Sequence, residues 1–111
     1  MDQKHKFDKG KLQFRLVPPM ALEKVAEVLT YGVGKYAAHS WVNVDSSRYV
    51  DAAYRHLEAA RHGLLLDDES GLPHLAMAIT NLMFLLERQE TTGEDQVSYY
   101  AEQDEHKHGK G

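Results

Sequence analysis

The sequence predicts an all-α protein: a small bundle of three main helices with an extended N-terminal arm. Three segments repeat apolar residues at helical spacing, namely "MALEKVAEVLTYGVGKY", "RYVDAAYRHLEAARHG" and "HLAMAITNLMFLLERQE". Glycine, proline and polar residues, which typically end helices, separate them. A chain of 111 residues is long enough for one domain with a modest core. We therefore expect a helical domain over residues 1–90 and a polar C-terminal tail over residues 91–111.

The first predicted helix follows the arm "KFDKGKLQFRLVPP". This arm has a glycine turn, an alternation of Leu12, Phe14 and Leu16, and a double proline, which together are typical of extended chain. Pro19 suits the first turn of a helix because it lacks the backbone N–H that would have no partner there. The apolar face that follows consists of Leu22, Val25, Ala26, Leu29 and Val33.

The second and third predicted helices are joined by the short connection "LLLDDESGLP". Gly63 can end the second helix, Asp68 or Ser70 can cap the third, and Pro73 suits its first turn. The core face of the third helix is predicted to be Leu75, Ile79, Leu82 and Leu86. The first and third helices carry more apolar surface than a bundle of this size hides, which predicts a homo-oligomer.

Composition excludes several classes of protein. The chain has no cysteine, so disulfide scaffolds, thiolate zinc sites and cysteine nucleophiles are ruled out. The formal charge of −4 argues against general binding to duplex nucleic acid, which normally requires a basic face. No apolar run approaches the roughly 18 residues of a membrane span, and "MDQKHKFDKGK" lacks the apolar stretch of a signal peptide. We expect a cytoplasmic protein without membrane contact.

Two histidines are aimed at the contact between the second and third helices. His56 points toward the small residues Ala60 and Gly63, where the helices can approach closely. His74 shares a face with Asn81 on an otherwise apolar helix, and such polar groups must be hydrogen-bonded or face a ligand. Because the short connection folds the third helix back along the second, His56 and His74 should converge, with Arg55 or Lys11 at the rim.

Acidic residues suggest a metal site near the same connection. Asp67, Asp68 and Glu69 precede the third helix, where acids often serve only as caps or complement the helix dipole. Together with Glu58 and His74, they also provide the hard oxygen ligands that Mg²⁺ prefers. The sequence therefore predicts a magnesium or manganese site at Glu58, Asp68 and Glu69.

Cations and aromatic residues in the first half of the chain suit a nucleotide. Lys9 and Lys11 flank Gly10, where backbone amides can approach a phosphate. Lys35 and Tyr36 lie shortly before Trp41, and an aromatic ring beside cations can stack a nucleobase. A core or interface role for the tryptophan is the alternative.

The ordered phrases "KFDKGK", "LVPPMALEKVAEVLTYGVGKY", "SW", "RYVDAAYRHLEAARHG" and "DDESGLPHLAMAITNLMFLLE" resemble the phage-associated family named for the N-terminal domain of dATP/dGTP diphosphohydrolases. The likeness runs from Lys6 to about Glu87 and extends, more distantly, to all-α pyrophosphohydrolases of the MazG type. It implies a helical oligomer that binds a purine deoxynucleoside triphosphate with magnesium and releases monophosphate and pyrophosphate. A phage-encoded member would act in the host cytoplasm.

The resemblance also implies which residues form the site. The family motifs fall on Lys6, Phe7, Asp8, Gly10, Lys11, Tyr31, Gly32, Lys35, Tyr36, Trp41, Arg55, His56, Asp68, Glu69, Ser70, Gly71, His74 and Asn81. With the residue patterns above, this gives catalytic candidates Glu69, His74 and His56, metal candidates Glu58, Asp68 and Glu69, and nucleotide-binding candidates Lys9, Lys11, Lys35, Tyr36, Trp41, Arg55 and Asn81.

Two positions depart from the family pattern. Leu64 stands where an acid is expected after the glycine of the second helix, and Met77 stands where a second histidine is expected. Either change removes a candidate metal ligand or general base. A protein that binds and sequesters nucleotides without hydrolysing them therefore remains an alternative, as does a helical assembly protein whose polar residues are caps and core histidines.

Overall fold

The computed structural model describes residues 9–35 and 39–92. These ranges contain three α-helices, which we call α1 (Pro19–Lys35), α2 (Ser46–Arg61) and α3 (His74–Thr92). Two short 3-10 helices, Phe14–Leu16 and Ser40–Asn43, precede α1 and α2. The described residues form no strand, only an isolated antiparallel bridge. The predicted all-α architecture with three main helices is thus confirmed, and most of the predicted tail lies outside the described residues.

Between residue 9, where the described part of the chain begins, and Pro19, the N-terminal arm contains no α-helix. Its only regular element within the described range is the single 3-10 turn at Phe14–Leu16. Leu12, Phe14 and Leu16 are 79%, 74% and 71% exposed. These alternating apolar side chains therefore do not pack against the rest of the described chain.

Helices α2 and α3 pack as an antiparallel hairpin, and α1 packs against α3. Tyr49 near the start of α2 contacts Phe84 in the second half of α3. Their ring centroids are 5.1 Å apart, and the rings are tilted relative to each other, an arrangement that aromatic pairs favour. The guanidinium of Arg88 donates a hydrogen bond to the carbonyl of Val44, which ties the far half of α3 to the segment preceding α2. These contacts fix how α3 lies along α2.

Gly63 ends α2 as predicted. Its φ of +92° is in the left-handed region that favours glycine, and its N–H donates to the carbonyl of Ala60 at 2.9 Å. The N–H of Leu64 donates to the carbonyl of Ala59 at 3.0 Å. Together these bonds form a Schellman motif, which satisfies the last carbonyls of the helix and redirects the chain.

Asp68 and Ser70 were the two residues predicted to cap α3, and neither does so because the helix begins at His74. The Ser70 side chain bonds within the turn instead. Its hydroxyl donates to the Asp67 carboxylate at 2.9 Å and accepts from the Leu72 N–H at 3.1 Å. The helix begins later, at His74, and its first hydrogen bond runs from the Met77 N–H to the Pro73 carbonyl. The Ser70 side chain therefore orders the turn before the helix, since local hydrogen bonds of this kind compete with capping.

The core is small and uses a different face of α3 from the one predicted. Within the described ranges, its apolar members are Val25, Tyr49, Ala53, Ala76, Ala78 and Leu85. Small side chains let the helix backbones approach closely, so α3 turns its alanines inward. The predicted core face is instead 39–57% exposed in the single chain, and consists of Leu75, Ile79, Leu82 and Leu86. None of the described helices is long and apolar enough to cross a bilayer.

Candidate histidine–aspartate site

His56 and His74 meet where α2 and α3 lie side by side. Their Nδ1 atoms are 2.9 Å apart, and their ring centroids are separated by 5.1 Å at an interplanar angle of 36°. His56 comes from the second half of α2, and His74 is the first residue of α3. Both side chains are half-buried. The predicted convergence of these two histidines is confirmed.

The connection between the helices positions His74. After the turn at Gly63, the chain pairs Leu66 with Pro73 in an antiparallel bridge. The His74 N–H then donates to the carbonyl of Leu65 at 2.9 Å. This hydrogen bond holds the first residue of α3 against the incoming chain and so places the main chain from which the imidazole extends.

Asp67 is the third member of the cluster. One carboxylate oxygen of Asp67 and one ring nitrogen from each of His56 and His74 all lie within 4.8 Å of one another. The Ser70 N–H and hydroxyl both donate to Asp67 Oδ2, at 2.8 and 2.9 Å. Gly71, with φ of +75°, closes the turn by donating its N–H to the Asp67 carbonyl at 2.7 Å. The carboxylate is therefore held in place from within its own turn.

The surroundings of His56 and Asp67 fix their charges at neutral pH. Burial lowers the pKa of His56, and the nearby His74 and Arg55 lower it further, while Asp67 acts in the opposite direction. The hydrogen bond from the Ser70 backbone is the largest cause of the lowered pKa of Asp67. His56 is consequently neutral and Asp67 ionised near pH 7. Across the 2.9 Å contact between the two Nδ1 atoms, the tautomers of the rings decide which nitrogen donates and which accepts.

The acids predicted to bind magnesium do not gather around the histidines. Glu58 forms a paired ion bridge with Arg61, at 3.2 and 2.5 Å, and its Oε2 also lies 3.4 Å from His62 Nδ1. Asp68 and Glu69 are exposed in the turn. Over residues 9–35 and 39–92, the three potential metal ligands that come together are His56, Asp67 and His74. Two imidazoles and one carboxylate fit the all-oxygen preference of Mg²⁺ poorly.

The predicted nucleotide-binding residues whose side chains are described belong to the arm, α2 and α3. Arg55 is exposed next to His56, and Lys9 and Lys11 are exposed in the arm. Asn81 is half-buried and donates its side-chain N–H to the Met77 carbonyl at 2.7 Å. Lys35 ends α1 and Trp41 belongs to the second 3-10 helix, but the side chains of both lie outside the described part of the chain, as does all of Tyr36.

A shallow groove of about 470 Å³ runs along the outer side of α2. It is lined by Tyr54, Arg55, Glu58, Ala59, His62 and Leu64, and thus joins two predicted site residues without including His56 or His74. The histidine–aspartate cluster is the better candidate site because its three ligand atoms converge, whereas the groove is open and mostly apolar.

The sequence predicts a metal-binding role for Asp68 and distinguishes Asp67 only as one of three adjacent acids. The three-residue spacing of Asp67 and Ser70 is the sequence signal that distinguishes Asp67 from Asp68. An aspartate followed three residues later by serine can form a side-chain-ordered turn, and that turn directs the Asp67 carboxylate.

A helical hairpin whose two helices and connecting turn hold a two-histidine, one-carboxylate cluster defines a small all-α protein with a candidate ligand-binding site. The chain belongs to the family described as dATP/dGTP diphosphohydrolase, N-terminal, whose model matches residues 1–97. This confirms the family predicted from the sequence motifs. The matched range contains His56, Asp67 and His74.

The chain is also similar to a dATP/dGTP diphosphohydrolase of Salmonella phage PMBT28, with 40% identity over 80 residues. The alignment covers 72% of this chain and 28% of that protein. No solved structure gave a significant match. The chain therefore corresponds to less than a third of its relative, and the more distant likeness to MazG-type enzymes stays a prediction.

Proposed function

We propose that this chain binds purine deoxynucleoside triphosphates and hydrolyses dATP or dGTP to the monophosphate and pyrophosphate. The observation that carries the proposal is the position of the histidine–aspartate cluster within the segment that matches the diphosphohydrolase family. The name of the phage relative supports the substrate class.

The reaction requires a water molecule to attack the α-phosphorus. A bond forms between the water oxygen and the α-phosphorus, the bond from the α-phosphorus to the bridging oxygen breaks, and pyrophosphate leaves with that oxygen. The proton released by water must be accepted nearby. The imidazole of His56 and the Asp67 carboxylate offer lone pairs at neutral pH, and these can either accept a proton or bind a cation that activates water.

The phosphates need positive charge beside the cluster. Arg55 is adjacent to His56 and exposed, and Lys11 is exposed in the arm, so both are available to an anionic ligand. We propose that Mg²⁺ or Mn²⁺ enters with the triphosphate, since Mg²⁺ is commonly held by substrate phosphates together with one or two carboxylates. We further propose that the protein acts as a homo-oligomer in the cytoplasm of a host cell.

The products test this function directly. The purified chain would be incubated with dATP, dGTP and the corresponding ribonucleotides, with Mg²⁺ or Mn²⁺, and the mixture separated by ion-exchange chromatography. We expect equal amounts of deoxynucleoside monophosphate and pyrophosphate. Release of orthophosphate or of inorganic triphosphate would indicate a different reaction. Recovery of the unchanged nucleotide with both metals would contradict the enzymatic function.

Sequestration of a nucleotide is the second candidate function. It is favoured by Leu64 and Met77, which stand where an acid and a histidine are expected and which cannot replace them as ligands or bases. Titration calorimetry distinguishes the two functions. Tight binding of dATP or dGTP, with the nucleotide recovered intact after prolonged incubation, is the result expected of a sequestering protein.

A further inference from the structure

The histidine–aspartate cluster has the ligand set and spacing of a transition-metal site. The two Nδ1 atoms are 2.9 Å apart, and the carboxylate oxygen completes a group within 4.8 Å. Two nitrogens that each lie about 2.0–2.1 Å from one ion are about 2.9 Å apart at a right angle and about 3.3 Å apart at a tetrahedral angle. The observed separation of the two Nδ1 atoms equals the right-angle value and lies about 0.4 Å below the tetrahedral one.

We propose that His56 Nδ1, His74 Nδ1 and an oxygen of Asp67 bind one divalent transition-metal ion of the Zn²⁺, Co²⁺ or Mn²⁺ class. Two imidazoles and one carboxylate leave coordination positions open for water or a phosphate oxygen, as in other two-histidine, one-carboxylate sites. This set differs from the all-carboxylate magnesium set that the sequence suggests, because it contains two nitrogen ligands.

The turn supports the carboxylate in the way that metal sites commonly require. Both hydrogen bonds from Ser70 end on Asp67 Oδ2, so an ion can bind Oδ1 without displacing them. Such outer contacts orient a ligand and strengthen binding. Ser70 is therefore a positioning residue for this site.

Metal binding requires a free lone pair on each ring nitrogen that faces the ion. The imidazole that donates across the 2.9 Å contact has only to move its proton from Nδ1 to Nε2 through solvent. One divalent ion, two imidazoles bound through lone pairs and one carboxylate then give the centre a single net positive charge.

That positive charge would face an anionic ligand next to Arg55. If the proposed function holds, on which this step rests, an ion at the cluster would bind a phosphate oxygen or lower the pKa of a bound water, and so supply the nucleophile. Metal binding itself does not depend on that function and can be measured without nucleotide.

The test measures Co²⁺ and Zn²⁺ binding to the full chain without nucleotide. His106 and His108 in the C-terminal segment could bind these metals independently, so both are changed to Ala in every protein compared. Titration calorimetry and the visible absorption of Co²⁺ should show one equivalent per chain. His56→Ala and His74→Ala should each weaken binding by at least about 100-fold, and Ser70→Ala by about 10-fold.

Matched variants keep the test decisive. His62→Ala removes the imidazole that directly follows the last residue of α2. His62 lies outside the cluster, with its Nδ1 2.9 Å from the Glu58 carbonyl oxygen, so this variant should bind metal like the parent. Asp67→Asn preserves an oxygen that can accept hydrogen bonds from Ser70, so this variant should keep the circular dichroism spectrum of the parent and yet lose metal binding. It therefore tests the metal site even if the histidine variants do not fold.

No metal binding by the parent, or equal binding after the His56 and His74 substitutions, would overturn the proposal. Failure of the metal site and failure of the proposed function are distinguishable. Stoichiometric metal without dGTP hydrolysis would keep the site and reject the function. Hydrolysis with Mg²⁺ that survives both histidine substitutions would keep the function and reject the site.

Discussion

His56 and His74 are separated by eighteen positions in the chain, yet their Nδ1 atoms lie 2.9 Å apart. Three local features bring them together: the Schellman turn at Gly63, the Leu66–Pro73 bridge and the hydrogen bond from the His74 N–H to Leu65. Because each feature is a backbone arrangement, the contact between the imidazoles follows from the connection and does not itself hold the hairpin closed.

Replacing His74 with Leu should therefore separate function from stability. The substitution removes one side-chain hydrogen bond of a half-buried pair and adds apolar surface, so the free energy of unfolding should change by no more than about 1 kcal/mol. Hydrolysis of dGTP should fall by about 100-fold or more, since a group that activates water is lost. The matched substitution His62→Leu should leave turnover unchanged. A clear drop in melting temperature with turnover intact would mean that His74 has only a structural role.

Stability should increase with pH through the histidine range. The pKa of His56 is lowered below its ordinary value of 6.5, so the folded state binds fewer protons than the unfolded state between the two values. The free energy of unfolding should rise across that interval and become independent of His56 above about pH 6.5. Asp67, whose pKa is lowered from 3.8, acts with the same sign in acid, where its contribution is lost as the pH falls through the folded value.

Urea unfolding with a chelator present, from about pH 5 to about pH 8, measures this slope. His56→Gln should reduce the slope relative to the parent because the titrating group is absent. If the slope is the same in both proteins, burial of His56 has no part in the pH dependence.

Two glycine substitutions should have opposite effects. Gly63→Ala places a side chain at φ of +92°, which should cost about 1–2 kcal/mol even though the space is open. Gly32→Ala, inside α1 and also in open space, should stabilise by up to about 1 kcal/mol because alanine favours the helix. Thermal melts of both variants test the pair, and equal shifts would contradict the role assigned to the turn.

The exposed leucine face of α3 should become buried when copies of the chain associate. Leu75, Leu82 and Leu86 are each more than half exposed, and apolar side chains exposed along one helix favour association with another surface. Light scattering at micromolar concentration should show an oligomer, and Leu82→Glu should dissociate it while preserving helical content. A monomeric parent protein would refute the predicted assembly.

The helices could be predicted from the sequence because their determinants are local. Gly63 ends α2, and Pro73 precedes the first residue of α3, in agreement with the spacing of their apolar residues. The buried face of α3 could not be predicted in the same way. Both the leucine face and the alanine face repeat at helical spacing, and close packing against α1 and α2 selected Ala76 and Ala78.

The candidate site shows the same division. Convergence of His56 and His74 follows from a short connection between two helices, which is visible in the sequence. The choice between Asp67 and Asp68 is not visible in the sequence, because the two carboxylates have the same chemistry and differ only in the direction in which their side chains point. The hydrogen bonds from Ser70 and the left-handed Gly71 decide that direction, and they belong to the folded turn.

The most direct test of the account compares dGTP hydrolysis by Asp67→Asn and Asp68→Asn. The two substitutions remove one negative charge each from adjacent positions of the same turn, and asparagine can still accept the bonds from Ser70. The histidine–aspartate cluster predicts that Asp67→Asn loses about 100-fold or more in turnover, while Asp68→Asn, whose side chain is exposed and outside the cluster, retains most of it. Loss of turnover in Asp68→Asn with full activity in Asp67→Asn would contradict this assignment of the site.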